Sequence, residues 1–488
     1  MDAPVIVWFR RDLRLADNPA LSAAFQTGRP IVPLYVLEDT PDLPPPGAAG
    51  SWWLHHSLRA LGESLAGAGL RLILRRGDPE EVLSAVVARS GAGAVYWNRR
   101  YVAAAATLDT RIKAKLRQGG IAVETFDGAL LFEPRTIRTG AGAPYKVFTP
   151  FWKACRAAPA PRDPLPAPPS TQSTGHAAPD DAWKLASDDP DDRRLAPRNP
   201  DWASGFGECW QPGEAGAAAR LSNFLRSDLE RYAVDRDRPD RAATSRLSPH
   251  LHFGEISPHM VWHQTRMRMA DGAGTLATSG EKFLAELGWR EFSHHLLFHF
   301  PAMESGNFRP EFDNFPWIDN PDALRAWQRG QTGYPLVDAG MRELWRTGWM
   351  HNRLRMVVAS FLTKNLRIHW REGAAWFQDA LVDADRANNI AGWQWVAGSG
   401  ADAAPYFRIF NPVSQGEKFD PSGAYVRQWV PELAALPDAV IHKPWTASRA
   451  LLAEAGIVPG QTYPCPLVDH KIARRDALAA YDTIRGRK

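Results

Sequence analysis

The chain has 488 residues, 44% hydrophobic and 23% charged, with a formal net charge of +4. This length suggests two or three domains, and no run of about 18 apolar residues suggests a membrane-spanning helix. Met1-Asp2-Ala3-Pro4-Val5 lacks the pattern of a signal peptide, and the isolated Cys155, Cys209 and Cys465 fit no disulfide framework, CxxC metal site or iron–sulfur cluster, so a cytoplasmic location is expected.

The first 130 or so residues alternate between two patterns. Val5–Trp8, Ile31–Leu37, Leu70–Leu74, Val95–Trp97 and Ala122–Phe126 are short apolar runs, as buried parallel strands require. Helical patterns near Ser51–Leu65, Pro79–Ala88 and Leu108–Leu116 separate them, and Ser51 and Asp78-Pro79 stand at expected helix starts. The alternation predicts an α/β domain with a doubly wound parallel sheet over residues 1–135. No GxGxxG opens it, so an ordinary dinucleotide site is not expected there.

Residues 136–206 form a long linker, and from Ala157 to Pro200 it is rich in Pro, Ala, Ser and Asp without a period. Residues 207–488 then show apolar spacings of three and four, in Ala217–Leu229, Ser279–Phe300 and Leu344–Leu366. This part is predicted to be all-α.

Four polar clusters interrupt the helical part. Thr244-Ser245-Arg246-Leu247-Ser248 places hydroxyls and an arginine before a helix start, which suits an anion site or an ordinary cap. Glu286 and Arg290 share a helix face beside Trp289, Phe283, Leu284 and Leu287. An apolar face around a carboxylate and a guanidinium points to a cavity wall. Asn352, Arg353, Arg355 and Met356 lie within Gly348–Met356; Asn suits a base edge and Met an irregular apolar ligand. Asp383, Asp385 and Asn389 precede Trp393-Gln394-Trp395. Two carboxylates without further oxygen ligands make a poor metal site, so no metal is expected. The 20 tryptophans exceed what core packing usually asks for and invite a stacking or electron-transfer role.

TSRLS, WREF, GWMHNRLRM, WREG, NNIAGWQW and the run from Asp402 to Pro412 closely resemble the photolyase/cryptochrome family, as does the opening Trp8–Arg14 followed by Asp17-Asn18-Pro19. The resemblance covers nearly the whole chain and is strongest to bacterial photolyases acting on cyclobutane pyrimidine dimers. It implies that the all-α part binds FAD, active as FADH⁻. Tyr232, Thr244, Ser245, Arg246, Leu247, Ser248, Phe283, Glu286, Arg290, Asn352, Arg355, Asp383, Asp385 and Asn389 would contact it, Asn389 at the flavin N5. Glu286, Asn352, Met356, Trp289 and Trp395 would form the lesion site. Trp393, Trp370 and Trp317 would carry electrons from the surface, with Trp376 as a possible branch. Glu286, Trp289, Arg290, Asn352, Arg353, Trp395, Gln415 and Lys418 would touch DNA.

The activity so implied is light-dependent repair of UV-damaged DNA. An electron passes from excited FADH⁻ to a flipped-out dimer, the ring splits and the electron returns. Relatives that repair the (6-4) lesion place histidines where Asn352 and Met356 stand, and plant and insect cryptochromes differ at Asn389. The chain ends soon after Ala479–Arg487, where signalling cryptochromes often carry an extension. An antenna pigment is expected in the α/β domain. Methenyltetrahydrofolate is preferred, with 8-hydroxy-deazaflavin or none as alternatives. The Asn-Glu pair of one folate-binding subgroup is missing after Tyr96–Tyr101, so Trp52, Trp53 and Trp97 are the candidate stacking surfaces. A monomer with no obligatory protein partner is expected.

Overall fold

Five apolar runs pair into one parallel sheet of order β3-β2-β1-β4-β5. The computed structural model describes residues 2–485 except 42, 170–184, 186, 189–194, 198–200, 273 and 404–406. More than half of the Pro/Ala-rich stretch Ala157–Pro200, part of the Asp402–Pro412 motif and the last residues of the chain therefore lie outside the described residues. In chain order the elements of the sheet region are β1 (Val5–Phe9), α1 (Pro19–Gln26), β2 (Ile31–Glu38), α2 (Ala48–Gly67), β3 (Ile73–Gly77), α3 (Pro79–Ser90), β4 (Ala94–Asn98), α4 (Ala103–Gln118) and β5 (Ala122–Phe126). The helices that follow are α5 (Phe148–Ala157), α6 (Phe206–Cys209), α7 (Glu214–Ser227), α8 (Tyr232–Asp235), α9 (Ser248–Phe253), α10 (Pro258–Ala270) and α11 (Thr275–His299). The remaining helices are α12 (Pro321–Gln328), α13 (Pro335–Thr347), α14 (Asn352–Ser360), α15 (Trp370–Ala380), α16 (Arg386–Ala397), α17 (Pro412–Phe419), α18 (Ala424–Trp429), α19 (Asp438–Ile441), α20 (Arg449–Glu454) and α21 (His470–Arg485).

The chain forms two compact units, Met1–Glu230 with Ser245–Pro301, and Arg231–Thr244 with Ala302–Lys488. Packing thus groups α9–α11 with the sheet, whereas the division into 1–135, 136–206 and 207–488 follows element type along the chain.

In the first unit, β1 is central: Val5 is level with Ile31 of β2 and with Ala94 of β4. All five β1 residues are buried, which explains its unbroken apolar run. Asn18 caps α1 by accepting from the Leu21 N–H, with Pro19 at the first helical position. Asn98 donates to Asn18 Oδ1 at 2.8 Å and to Asp12 Oδ2 at 2.6 Å. Arg14 donates to the carbonyls of Gly254 at 2.9 Å and Gly128 at 2.8 Å. The opening signature is therefore consumed in holding strand ends together. Gly254 has φ +70°, and a Cβ there would lie 2.0 Å from the Arg11 carbonyl, so only glycine fits.

Three expected elements differ from those observed. The third strand runs Ile73–Gly77, not Leu70–Leu74, because the Leu70 N–H closes α2 onto the Leu65 carbonyl at 2.8 Å. Helix α2 starts at Ala48, ahead of Ser51, whose N–H already bonds the Gly47 carbonyl. The apolar period over Leu344–Leu366 is not one helix. Gly348 at φ +67° ends α13, His351 caps α14, and Phe361–Asn365 winds as a π-helix.

The second unit is helical in its described residues, around a core that includes Trp327, Phe361, Trp370, Phe377 and Trp393.

Candidate functional site

In the first unit, α11 carries Phe283, Glu286, Trp289 and Arg290 within two turns. Phe283 is buried against Phe224 of α7, ring centroids 4.6 Å apart. Glu286, Trp289 and Arg290 are each half-buried. Trp289 is stacked on Phe148 of α5, with centroids 3.8 Å apart and planes 9° from parallel. Arg290 forms its ion pair with the next residue, Glu291, at 3.3 Å. Glu291 is buried and accepts the N–H groups of Leu131 at 2.9 Å and Phe132 at 3.2 Å. Burial pushes its carboxyl pKa up, opposed by Arg290 and by these two bonds.

The TSRLS segment leads into α9. Thr244, Ser245 and Arg246 are half-buried, Leu247 is buried and Ser248 is exposed as the first residue of α9. Arg246 has φ +50°, a left-handed conformation that a non-glycine residue holds at a cost of about 1 kcal/mol. Such strain clusters where backbone is shaped for a ligand.

In the second unit, Arg355 of α14 grips Asp383 through one nitrogen, 2.8 and 3.0 Å from the two carboxylate oxygens. Its Nε donates to the Met350 carbonyl at 2.8 Å. Asp385 caps α16, accepting the Asn388 N–H at 2.9 Å. One turn into that helix, Asn389 donates its amide to the Ala374 carbonyl at 2.9 Å, which fixes Nδ2 toward α15 and leaves Oδ1 as the acceptor end. Both aspartates are committed to protein groups, and no group of three or more metal-ligating side chains occurs among the described residues. Asn352 is exposed at the start of α14, and Met356, four residues on, is half-buried. Tyr232 is buried, with the Arg236 guanidinium 5.4 Å from its ring centre.

Trp393 is buried between Trp327, at 6.1 Å, and Phe377, at 5.0 Å, and its indole N–H has no acceptor among the described residues. A Cβ on Gly373 of α15 would lie 2.0 Å from the Trp393 ring, so that glycine lets the two helices close. Trp370 starts α15 one turn earlier, its N–H on Asn307 Oδ1 at 2.9 Å. His369 bridges the next gap, with ring centroids 5.6 Å from Trp370 and 4.9 Å from Trp317. Burial, then Arg371, lowers the His369 pKa to about 4, so no charge stands between these indoles at neutral pH. Trp376 stacks on Trp345 at 6.2 Å, and Trp345 is 58% exposed. Trp395 is half-buried beside the core.

Of the expected DNA contacts, Arg353 pairs with Asp237 at 2.8 Å. Gln415 is half-buried, with an Oε1 that no described donor reaches, and Lys418 is exposed. Of the expected antenna surfaces, Trp53 is buried with its N–H on Glu255 at 3.0 Å, Trp97 is buried edge-on to Trp8 at 5.6 Å, and Trp52 packs on Phe206 at 5.3 Å. All three are spent on core packing. Phe148, Asp237, Glu291 and His369 escaped the sequence reading. Only the aromatic run of Phe148–Trp152 gave any signal.

Residues 5–170 match the family described as DNA photolyase, and residues 283–483 that described as FAD binding domain of DNA photolyase. A deoxyribodipyrimidine photo-lyase of Agrobacterium fabrum is 50% identical over 99% of this chain and 98% of its own. Cryptochrome-1 of Arabidopsis thaliana is 40% identical over 95% of this chain and 68% of its own. The crystal structure of a bacterial class III photolyase from Agrobacterium tumefaciens superposes with a TM-score of 0.94 at 49% identity, covering 99% of this chain and 98% of that one.

Proposed function

The chain belongs to the photolyase/cryptochrome family, and from that premise we propose that it is a lyase that repairs cyclobutane pyrimidine dimers in UV-damaged DNA under blue light. The observation that carries the substrate choice is the pair Asn352 and Met356, one turn apart on α14 beside the Arg355–Asp383 pair. Neither side chain can give a proton at neutral pH, so the site suits a lesion whose repair needs an electron and no acid.

The residues present fit a flavin. In the second unit Asp383 and Asp385 keep lone pairs beyond those taken by Arg355 and Asn388, so they can still accept; in the first unit Arg246 holds a strained backbone turn beside the Ser245 and Ser248 hydroxyls. When bound, fully reduced FAD supplies the light-driven electron and takes it back. Asn389, with its amide on Ala374, keeps Oδ1 as an acceptor that would take a hydrogen bond from a flavin N–H and would remove no proton. Glu286 hydrogen-bonds the flipped-out dimer, and Trp289 and Trp395 pack against it and exclude water. Extrusion is cheaper at a lesion, whose pairing is already weak. Phosphate contacts from Arg353 and Lys418 give affinity without sequence preference. Trp393, Trp370 and Trp317 pass electrons inward from the surface, and His369 between the last two stays neutral.

Trp52, Trp53 and Trp97 would hold an antenna pigment only by repacking, so methenyltetrahydrofolate or a deazaflavin would need another surface. The absorption spectrum of the purified protein distinguishes these from no antenna. No helix among the described residues is long and apolar enough to cross a membrane.

The test is repair of a single thymine dimer in an oligonucleotide by the reduced protein, in blue light and in the dark. Loss of the dimer only in light is expected. No loss with fully reduced FAD bound would instead favour a signalling role. Glu286→Ala should lower repair per absorbed photon more than it lowers lesion affinity.

A further inference from the structure

Arg353 stands second on α14, directly after the exposed Asn352, and is held from two sides. Its Nη2 lies 2.8 Å from Oδ2 of Asp237, and its guanidinium carbon is 4.3 Å from the centre of the Phe419 ring. Its Nε–H is buried and has no acceptor among the described residues. Asp237 comes from the turn that follows α8, and lies 4.0 Å from the Arg236 Nε as well. The arginine side chain is 15% exposed and the aspartate 36%.

A part-exposed ion pair of this kind adds little to folding stability. Stacking on Phe419 fixes the guanidinium plane without help from the carboxylate. What the carboxylate does is occupy Nη2, a donor that a phosphate oxygen would otherwise take. Arg353 therefore has its anion already, supplied by its own chain.

We propose that Asp237 is an internal competitor for Arg353, exchanged for a backbone phosphate when DNA binds, and that it limits affinity for the DNA backbone. The proposal rests on the reading that Arg353 touches DNA. The exchange has a distinctive salt signature. A free arginine that neutralises a phosphate releases one counterion from DNA and adds about 0.9 to the slope of log K against log salt. An arginine that leaves a carboxylate to do so also exposes that carboxylate, which gathers a cation in turn. The net release is close to zero. Replacing Asp237 by its uncharged isostere restores the full counterion term while Phe419 keeps Arg353 in place.

The experiment measures binding of an undamaged duplex oligonucleotide across a salt series, by fluorescence anisotropy, for the FAD-loaded wild type, Asp237→Asn, Arg353→Gln and the double variant. FAD content and thermal unfolding verify that each is folded. Asp237→Asn should bind about two- to fivefold tighter at moderate salt, the range that an exposed pair's strength permits, with a slope steeper by about 0.9. Arg353→Gln should bind more weakly, and adding Asp237→Asn to it should change nothing. Weaker or unchanged binding by Asp237→Asn, while Arg353→Gln weakens it, overturns the competitor and leaves the Arg353 contact standing. Tightening that persists in the Arg353→Gln background is a general charge effect and also overturns it. If Arg353→Gln binds as the wild type does, the underlying DNA contact itself fails.

Discussion

Phe148 lies flat against one face of Trp289, ring centroids 3.8 Å apart. The indole proposed to pack on the lesion is thus backed by a second ring from α5, and its plane is set before substrate arrives. Aromatic pairs of this kind contribute about 0.5–1.5 kcal/mol beyond the area they bury. Phe148→Ala should raise the dissociation constant for a dimer-containing oligonucleotide by about two- to tenfold. Repair per absorbed photon in the saturated complex should stay near wild type. Phe148→Leu, which refills the space without a flat face, should recover thermal stability but only part of the affinity. Equal affinity in Phe148→Ala would show that Trp289 needs no backing.

Such a contact illustrates what the sequence could and could not reveal. The parallel sheet was legible because β1, β2 and β4 are buried along most of their length and so read as apolar runs. The third strand was misplaced because β3 sits at the sheet edge, where Arg75 and Arg76 are tolerated, while the more apolar Leu70 closes a helix. The single helix expected over Leu344–Leu366 failed for a related reason. Apolar spacing continues across Gly348–His351, and only the left-handed glycine marks the break. Residues of the motifs could be named because each motif is local in the chain. Phe148 with Trp289, and Asp237 with Arg353, are distant in sequence, and no single-chain pattern pairs them. The stretch around Phe148 was read as part of a linker, which hid an ordered helix.

The Arg355–Asp383 pair joins two of the proposed flavin residues, with the aspartate side chain 2% and the arginine 25% exposed. Removing one charge from such a pair leaves the other unmatched, at a cost of about 3 kcal/mol. Asp383→Asn should therefore lower unfolding free energy by about that amount and reduce the FAD retained through purification. Arg355→Lys should also lose FAD, because an ammonium cannot hold Met350 and Asp383 in the same planar geometry. Full FAD content and an unchanged melting temperature in Asp383→Asn would remove the pair from the cofactor site.

Burial disfavours the charged form of several histidines. His259, His295 and His369 are each lowered from 6.5 to about 4, with Arg162, His299 and Arg371 respectively adding to the effect. In the unfolded chain they take up protons near pH 6.5; in the folded chain only near pH 4. Between these values the unfolded state binds more protons, so stability falls as pH drops from about 6.5 to about 4. Below that the contribution levels off. Urea midpoints measured across this range should decline, and His369→Gln should decline less steeply than the wild type. A flat profile would mean that these side chains are hydrated in solution.

Two aromatic routes are proposed to serve Trp393. One would use Trp370, which His369 connects to Trp317. The other would use Phe377, in ring contact with Trp393, and the adjacent Trp376, which is stacked on the exposed Trp345. The exposed indole would be the more easily stabilised end of an electron path, because water solvates the positive charge left behind. If both routes deliver electrons, Trp317→Phe should slow photoreduction of oxidised FAD without stopping it, and Trp317→Phe with Trp376→Phe should stop it. If the first route acts alone, Trp317→Phe should be as slow as the double variant, and Trp376→Phe should match the wild type. Acidification adds an independent check, since protonating His369 below about pH 4 places a positive charge beside Trp317 and Trp370. Photoreduction through that route should then fall, while the route through Trp376 and Trp345 should be unaffected. Absorbance of the flavin during blue illumination, followed at pH 4 and pH 7 in the single variants, separates the two.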